Sequence, residues 1–312
     1  MRIIFAGTEE FSMPSLEFID KHYQTVGLIT QPDKPAGRGL KLNPPLVKEF
    51  CEKKNIPVFQ PADLKETNFL DQLKQLKSDF LIEVAFGRIF PPEVLKIPVH
   101  CCINIHPSFL PGYRGAAPIR WVIINNEKQT GVTAHIMSEK IDEGKILYQE
   151  KFDIDPQDTF GALSEKLSQR CISVLGHALE NYKENKFVLD PVDIYSVKDF
   201  YARKIKHDDF RIDWNKKAVE IFSLIRASHP KPGAFTFYRD KLIKIFESEI
   251  ISEDQSGNRP GEILKADIKD GILVNTEKGI LKIKRLQKEN KNILYYKDFL
   301  NGFTLEEKEK FT

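Results

Sequence analysis

The sequence predicts an α/β protein with a Rossmann-like open, mostly parallel sheet that carries helices on both faces, followed by a small OB-like β-barrel domain. Along residues 1–100, short apolar runs alternate with helical patterns, which is typical of parallel βαβ units. From about residue 208 onward, several short strands separated by Gly and Asp turns are typical of a small barrel. The length of 312 residues suffices for two such domains.

The elements of the first domain follow from their periodicity. Apolar and β-branched runs predict strands over residues 2–7, 25–30, 56–60, 79–86, 100–106, 130–137 and 145–154. Helical spacing predicts helices over residues 14–21, 44–55, 68–77 and 159–182. The first two of these helices begin with prolines, whose fixed φ suits the first helical turn. In open parallel sheets ligands bind beyond the carboxyl ends of the strands, so the functional residues are expected there.

The second domain has the pattern of consecutive hairpins. A helix over residues 215–228 precedes short strands over 234–238, 241–250, 262–267, 272–276 and 280–286. The stretch before it shows few helical or strand periods and is interpreted as a linker. The predicted organisation is a first domain over residues 1–188, a linker over 189–207 and a second domain over 208–312.

Charge is distributed unevenly along a chain whose formal net charge is only +2. Residues 1–202 hold 24 basic and 27 acidic side chains, a balance of −3, and residues 203–312 hold 23 and 18, a balance of +5. A mildly basic C-terminal part favours an anionic ligand, although a lysine-rich solvated surface is the commoner explanation. The overall balance does not demand a nucleic-acid partner.

Cysteine usage and the apolar runs indicate the compartment. The four cysteines show no spacing typical of a disulfide framework, which favours a reducing, cytoplasmic setting. The N-terminus becomes polar too early for a signal peptide, and no apolar run approaches the roughly 20 residues that span a bilayer. A cytoplasmic protein without a membrane partner is therefore expected.

A long basic loop over residues 31–43 brings Lys34, Arg38 and Lys41 close together in sequence. Its two glycines do not make a dinucleotide fingerprint, because a third glycine and a helix opening directly on the loop are lacking. Two interpretations stay open for this loop: a flap that contacts phosphates, or an ordinary surface loop.

The run HCCINIH contains the first candidate site residues. Adjacent side chains on a strand point to opposite faces, so Cys101 and Cys102 cannot share a zinc ion, and no metal is expected. The same alternation places Asn104 and His106 on one face at the carboxyl end of a central strand. The simpler alternative is that Asn104 satisfies a loop backbone and His106 caps the turn.

A third polar group comes from SEKIDEGKIL, where Asp142 stands just before a strand. A carboxylate there can orient an imidazole or accept a proton, although an ordinary turn-forming Asp is an equal alternative. One amide, one imidazole and one acid suit direct transfer of an acyl-like group to a nucleophile that the substrate brings. Ser108 lacks the G-x-S-x-G context of a serine nucleophile.

The motifs NIHPSFLPGYRGAAP and TGVTAHIMSEKIDEGKIL resemble those of the folate-dependent formyltransferases. The N-terminal runs TQPDKPAGRGLKLNPPLVKEF and VAFGRIFPPEVL, with the tail RIDWNKKAVEIFSLIRASHPKPGAF, are similar to the branch of that family whose acceptor is initiator methionyl-tRNA. The resemblance covers nearly the whole chain. Glu9, Phe109 and Lys231 depart from the family pattern.

The resemblance implies roles for individual residues. Asn104, His106 and Asp142 would form the catalytic set, with the amide and imidazole stabilising an oxyanion and the acid assisting proton transfer. The folate 10-formyltetrahydrofolate would be the co-substrate, and no metal is implied. Its implied contacts are Ser108, Phe109, Leu110, Pro111, Phe86 and Gly87. The implied contacts of the tRNA are Lys34, Arg38 and Lys41, with the second domain as a further tRNA-binding surface.

Two other functions remain open at the level of sequence. A sugar-nucleotide formyltransferase would share the Asn–His–Asp core, although a small acceptor would not need the basic loop. A non-catalytic RNA-binding protein is the alternative from another class, and the intact set of three polar residues argues against it. A monomer is expected.

Overall fold

The computed structural model of the protein describes residues 1–36, 41–186, 200–254 and 259–312. The chain divides into two compact units. The first unit comprises residues 1–118, 129–152 and 164–202, and the second comprises residues 119–128, 153–163 and 203–312. The domain boundaries predicted from the sequence stay predictions, and residues 189–199 of the predicted linker lie outside the described part of the chain.

The first unit is built on a seven-stranded sheet. The strands before residue 160 are β1 (Arg2–Gly7), β2 (Gln24–Ile29), β3 (Lys34–Ala36), β4 (Lys41–Asn43), β5 (Val58–Phe59), β6 (Phe80–Val84), β7 (Cys101–His106), β8 (Gln129–Ile136) and β9 (Ile146–Asp153). The sheet has the order β5-β2-β1-β6-β7-β8-β9. Its pairs from β5 to β7 are parallel, and β8 runs antiparallel to β7. The predicted Rossmann-like, mostly parallel sheet is confirmed.

Helices connect these strands. They are α1 (Met13–His22), α2 (Leu46–Lys53), α3 (Thr67–Gln75), α4 (Pro92–Leu95), α5 (Pro118–Ile124) and α6 (Phe160–Lys183). No helix in the described ranges is both long and apolar enough to cross a bilayer.

The central strand β1 is covered on both faces. Ile3 and Phe5 point to the face opposite Ile4 and Ala6, because side chains alternate along a strand. All four are 0% exposed. Such burial on both sides explains why the strand reads as a continuous apolar run in the sequence.

The basic segment predicted as a loop contains a short antiparallel ladder. Strand β3 pairs with β4, with Lys34 opposite Asn43. Residues 37–40, which include Arg38, lie outside the described residues, and so does the side chain of Lys41. Among the three residues expected to contact tRNA, only Lys34 can therefore be followed in the structure.

The second unit contains an antiparallel sheet. Its strands are β10 (Ala234–Tyr238), β11 (Lys241–Ser252), β12 (Ile263–Asp267), β13 (Gly271–Asn275), β14 (Ile280–Lys288) and β15 (Leu294–Tyr295). Its helices are α7 (Ala218–Ser228) and α8 (Tyr296–Gly302). The order is β10-β11-β14-β13-β12, with β15 pairing with β14. The strands predicted for the OB-like barrel are thus present, each close to its predicted position.

Two earlier stretches of the chain also belong to the second unit. Trp121 donates its indole N–H to the Arg203 carbonyl (2.8 Å). The Arg120 guanidinium lies 3.6 Å from the centre of the Phe160 ring and donates to the Ala227 carbonyl. These contacts join residues that are far apart in sequence, which is why no local pattern predicted them.

Candidate active site

The site begins as a row of polar side chains across three neighbouring strands. Glu83 on β6 stands beside Asn104 on β7, and Asn104 stands beside His135 on β8. Residues in register on adjacent strands share a face of the sheet, so these side chains are neighbours. Ile103 and Ile105 point to the other face and are 0% and 1% exposed, as the alternation in HCCINIH predicts.

Asp142 brings the three predicted residues together. Its Oδ1 accepts a hydrogen bond from Asn104 Nδ2 (3.3 Å), and its Oδ2 accepts one from the Gly115 amide (2.8 Å). His106 Nδ1 lies 3.7 Å from Oδ2, and His135 Nε2 lies 3.5 Å from Oδ1. The amide, the imidazole and the acid therefore converge, with a second imidazole that the sequence did not predict.

A tight turn presents the Asp142 carboxylate to this cluster. The backbone of Asp142 has φ +54°, a left-handed conformation that Asp tolerates better than most residues. Two residues later, a Cβ on Gly144 would overlap the backbone carbonyl of Ile136. The chain can approach the end of β8 so closely because Gly144 has no side chain.

Backbone carbonyls determine which ring nitrogen carries the proton in each neutral imidazole. The Tyr113 carbonyl lies 3.0 Å from His106 Nε2, and the Ile136 carbonyl lies 3.2 Å from His135 Nδ1. A carbonyl only accepts hydrogen bonds, so these two nitrogens are the donors. In the neutral ring, His106 Nδ1 is then free of a proton and faces Asp142 Oδ2. It can take up a proton beside a carboxylate.

Burial and mutual contacts set the charges of the cluster. Burial lowers the pKa of His106 below its ordinary value, although Asp142 and the Tyr113 carbonyl act in the opposite direction. Burial also acts to raise the pKa of Asp142, but His135, His106 and the Gly115 amide outweigh it and hold that pKa at about 2. At neutral pH the site therefore combines an ionised carboxylate with a neutral His106.

Four of the six residues expected to contact the folate lie at the start of the loop after β7. The Ser108 hydroxyl is buried and donates to the Gly112 carbonyl (2.7 Å). The Leu110 amide donates to Thr133 Oγ1 (3.1 Å), and Leu110 itself is 2% exposed. These polar groups hold the loop in place, and both Ser108 and Leu110 are buried in this structure.

The other residues of the folate set differ in exposure. Phe109 and Pro111 are half-buried, and the Lys151 ammonium lies 4.5 Å from the centre of the Phe109 ring. Phe86 is 0% exposed and stacks on Phe90 with 4.9 Å between the ring centres. Gly87 is exposed beside it. The six expected folate residues thus lie on the two loops that follow β6 and β7, and their contacts with a ligand stay predictions.

The side chains of the cluster and the nearby cysteines define which chemical groups are available at the site. No group of three His, Cys, Asp or Glu side chains within the described ranges could hold a metal ion. Cys102 is buried and Cys101 is half-buried, and both are free thiols. The cluster supplies instead an amide N–H donor, a proton acceptor and a fixed negative charge, which suits attack of a neutral nucleophile on a carbonyl carbon.

Glu83 and His135 are the site residues that sequence analysis missed. Both lie inside apolar runs and read as isolated polar residues of buried strands. A buried, unexplained Glu in DFLIEVAF was the available signal. Their proximity to Asn104 depends on the register of β6, β7 and β8, and no local pattern contains that information.

Comparison with known proteins gives the class. Residues 1–179 match the family model Formyl transferase, and residues 204–304 match the model Formyl transferase, C-terminal domain. The chain therefore belongs to the formyl transferase family, and both the resemblance and the enzyme class expected from the sequence are confirmed. The folate-based formyl donor expected from the motifs is confirmed at the level of this family.

Individual relatives are more specific. The chain is 41% identical over 307 residues to the methionyl-tRNA formyltransferase of Alkaliphilus oremlandii, covering 98% of each chain. It is 41% identical over 306 residues to the methionyl-tRNA formyltransferase of Thermodesulfovibrio yellowstonii, covering 98% of this chain and 97% of the relative.

A solved structure supports the fold. The N-formyltransferase from Helicobacter canadensis, in complex with folinic acid and dTDP-3-aminofucose, matches with a TM-score of 0.66 at 22% identity. The match covers 92% of this chain and 98% of that one. At this identity the likeness establishes a shared fold and leaves the acceptor open.

Proposed function

We propose that the protein transfers the formyl group of 10-formyltetrahydrofolate to the α-amino group of methionyl initiator tRNA. The observation that carries this proposal is the 41% identity to methionyl-tRNA formyltransferases, which extends over 98% of the chain and so includes both units. A cytoplasmic location follows for an enzyme that acts on charged initiator tRNA.

The chemistry starts with a neutral amine. An α-amino group has a pKa of about 7.7–8.0, and esterification lowers it further, so a substantial fraction is unprotonated at neutral pH. Its nitrogen forms a bond with the formyl carbon, and negative charge develops on the formyl oxygen. Asn104 donates one amide hydrogen to Asp142. The second amide hydrogen remains for that oxygen, an interaction of roughly 3–4 kcal/mol in comparable sites.

The proton of the attacking amine moves next. His106 Nδ1 is free of a proton at rest and faces Asp142 Oδ2 at 3.7 Å. When Nδ1 takes the amine proton, the resulting imidazolium is paired with the ionised carboxylate. The imidazolium then stabilises the oxyanion and returns the proton to N10 of the folate as the bond between the formyl carbon and N10 breaks. The products are the formylated amine and tetrahydrofolate.

Both substrates must lie together for this transfer. The loops after β6 and β7 would bind the folate. The loop after β7 is held by the buried Ser108 hydroxyl and the Leu110 amide. A rigid wall of this kind fixes the formyl carbon near Asn104 and His106, which lowers the entropic part of the barrier.

The charge of the second unit supports an RNA acceptor. Residues 203–312 carry 23 basic and 18 acidic side chains. On β14, the Lys282 ammonium lies 5.5 Å from the centre of the Tyr296 ring, and the Lys288 ammonium lies 5.0 Å from the centre of the Phe303 ring. Lysine ammonium groups on this strand suit contacts with a phosphate backbone. Lys34, Arg38 and Lys41 of the basic segment would contribute further phosphate contacts.

The second candidate is a sugar-nucleotide formyltransferase, which the shared fold with the Helicobacter canadensis enzyme favours. The deciding experiment supplies 10-formyltetrahydrofolate and compares two acceptors, methionyl initiator tRNA and a dTDP-amino sugar. We expect formylation of the tRNA to exceed that of the sugar by at least about a thousandfold in kcat/KM. Efficient transfer to the sugar would reverse the assignment, and no folate turnover with either acceptor would favour a non-catalytic RNA-binding protein.

A further inference from the structure

Glu83 is a buried carboxyl group to which the chemistry above assigns no role. It is 9% exposed and lies between Ala6 on β1 and Asn104 on β7. Neither of those neighbours is charged. The titratable groups that act on it are Asp142, whose charge opposes its ionisation, and His135, whose charge favours it. Glu83 is therefore in electrostatic contact with the cluster and lies beside Asn104 on the neighbouring strand.

The same carboxyl group holds the turn that follows β6. Its Oε1 accepts a hydrogen bond from the Phe86 amide (2.8 Å), and the Phe86 carbonyl accepts one from Gln31 Nε2 (2.6 Å). The backbone has φ +50° at Ala85 and +78° at Gly87. A left-handed alanine costs free energy and persists only where its surroundings determine it, so the turn depends on these bonds.

We propose that Glu83 is a positioning residue for formyl transfer, which fixes the Phe86–Gly87 turn against the folate and supplies negative charge to the cluster around Asp142 and His135. The inference rests on the proposed function, because it assigns Glu83 a task in that reaction. It adds a second carboxyl group to the site, placed beside Asn104 on the neighbouring strand.

The protonation of Glu83 gives this proposal a measurable consequence. Burial raises the pKa of Glu83 to about 7, although the Phe86 amide opposes the rise. The group is therefore mostly neutral below that pH and mostly negative above it. The negative form stabilises the positive charge that the cluster gains when His106 takes the amine proton, so the rate increases as Glu83 ionises. Glutamine at this position keeps an acceptor for the Phe86 amide and stays uncharged at every pH.

The kinetic test compares wild type with Glu83→Gln. We expect the ratio of their kcat values to rise by roughly three- to tenfold between about pH 6 and about pH 8.5. Glu93→Gln, which changes an exposed carboxyl group on α4, is the matched control and should keep a constant ratio. A wild-type to Glu83→Gln ratio that does not change with pH would overturn the electrostatic role.

Two further measurements need no formyl acceptor. Glu83→Leu removes the acceptor of the Phe86 amide, and we expect the Kd of tetrahydrofolate to rise by about tenfold, while Glu83→Gln changes it much less. In carbon-13 NMR of glutamate-labelled protein, one carboxyl resonance should titrate near neutrality in wild type and Glu93→Gln and be missing in Glu83→Gln. An unchanged Kd in a folded Glu83→Leu variant would overturn the positioning role, and the lack of such a resonance would overturn the electrostatic one. Because neither measurement uses tRNA, these outcomes are distinct from a failure of the proposed acceptor.

Discussion

The two units bury ionisable side chains in different surroundings. In the first unit, His106 keeps an unprotonated nitrogen directed at Asp142, so the cluster can still gain a proton. In the second unit, the buried Arg226 donates from Nη1 to the Asp158 carbonyl (3.0 Å) and from Nη2 to the Ser223 hydroxyl (3.2 Å). That guanidinium stays charged at any physiological pH and its contacts are structural.

This difference indicates how catalysis and stability are divided between the two units. Burying a group that can change protonation costs free energy, and the first unit buries His106, His135 and Glu83 together at the site. The core of the second unit is apolar, with Ile243, Ile283 and Leu286 each 0% exposed. We infer that the first unit carries the chemistry, whereas the second contributes stability and a basic surface. The four predictions below test that division.

The largest effect is expected for the amide at the site. Asn104→Ala removes the N–H donor for the developing oxyanion, so kcat should fall at least about a hundredfold, while the thermal midpoint changes little. Steady-state formylation and thermal unfolding measure the two quantities. Asn301→Ala, at an exposed position of α8, is the matched control. Near wild-type turnover of Asn104→Ala would remove this residue from the mechanism.

A substitution in the apolar core of the second unit should lower stability and leave turnover unchanged. Ile283→Ala deletes a fully buried side chain, and we expect the free energy of unfolding to fall by about 2–5 kcal/mol. The folded fraction should keep its turnover of folate. Urea unfolding measures the loss, with Ile251→Ala, whose side chain is 48% exposed, as the control. Loss of turnover in fully folded Ile283→Ala would contradict the division of work.

A smaller effect is expected on the free energy of unfolding at low pH. The contacts of Asp142 hold its pKa at about 2, below the value of about 3.9 in an unfolded chain. A lowered pKa stabilises the fold above the unfolded value, and that stability is lost as pH falls through the folded value. About 2 kcal/mol should therefore disappear between about pH 4 and about pH 2.

The variant Asp142→Asn tests this directly. Its unfolding free energy should depend less on pH across that window than that of wild type or of the exposed control Asp208→Asn. Denaturant titrations at several pH values supply the comparison. Equal slopes for all three proteins would show that the carboxylate gains nothing from its neighbours.

The smallest effect is expected in the basic segment between β2 and α2. Arg38→Ala should raise KM for tRNA and reduce the slope of log KM against log salt by about one, as for loss of one phosphate contact. KM for the folate should not change. The variant Arg211→Ala removes a basic residue of the second unit, and its KM for tRNA is compared with that of Arg38→Ala. A change confined to folate affinity would remove Arg38 from the tRNA surface.

Much of the fold could be predicted because its signals are local. The strand AFTFY was predicted at residues 234–238, and β10 has the same bounds. The helix predicted over 159–182 is α6, Phe160–Lys183. The short ladder of β3 and β4 was missed, because it lies in a segment rich in Gly and Pro, where strand patterns are weak. The assignment of residues 119–128 to the second unit was also beyond local reasoning.

The sequence by itself determined that Asn104 and His106 share one face of β7, since side chains alternate along any strand. It also determined the class of the enzyme through motifs that persist over the whole chain. Only the tertiary structure decided that Glu83, His135 and Asp142 join that face. The order and register of β6, β7 and β8 arise from packing between distant segments, and those interactions leave no period in the sequence around any one residue.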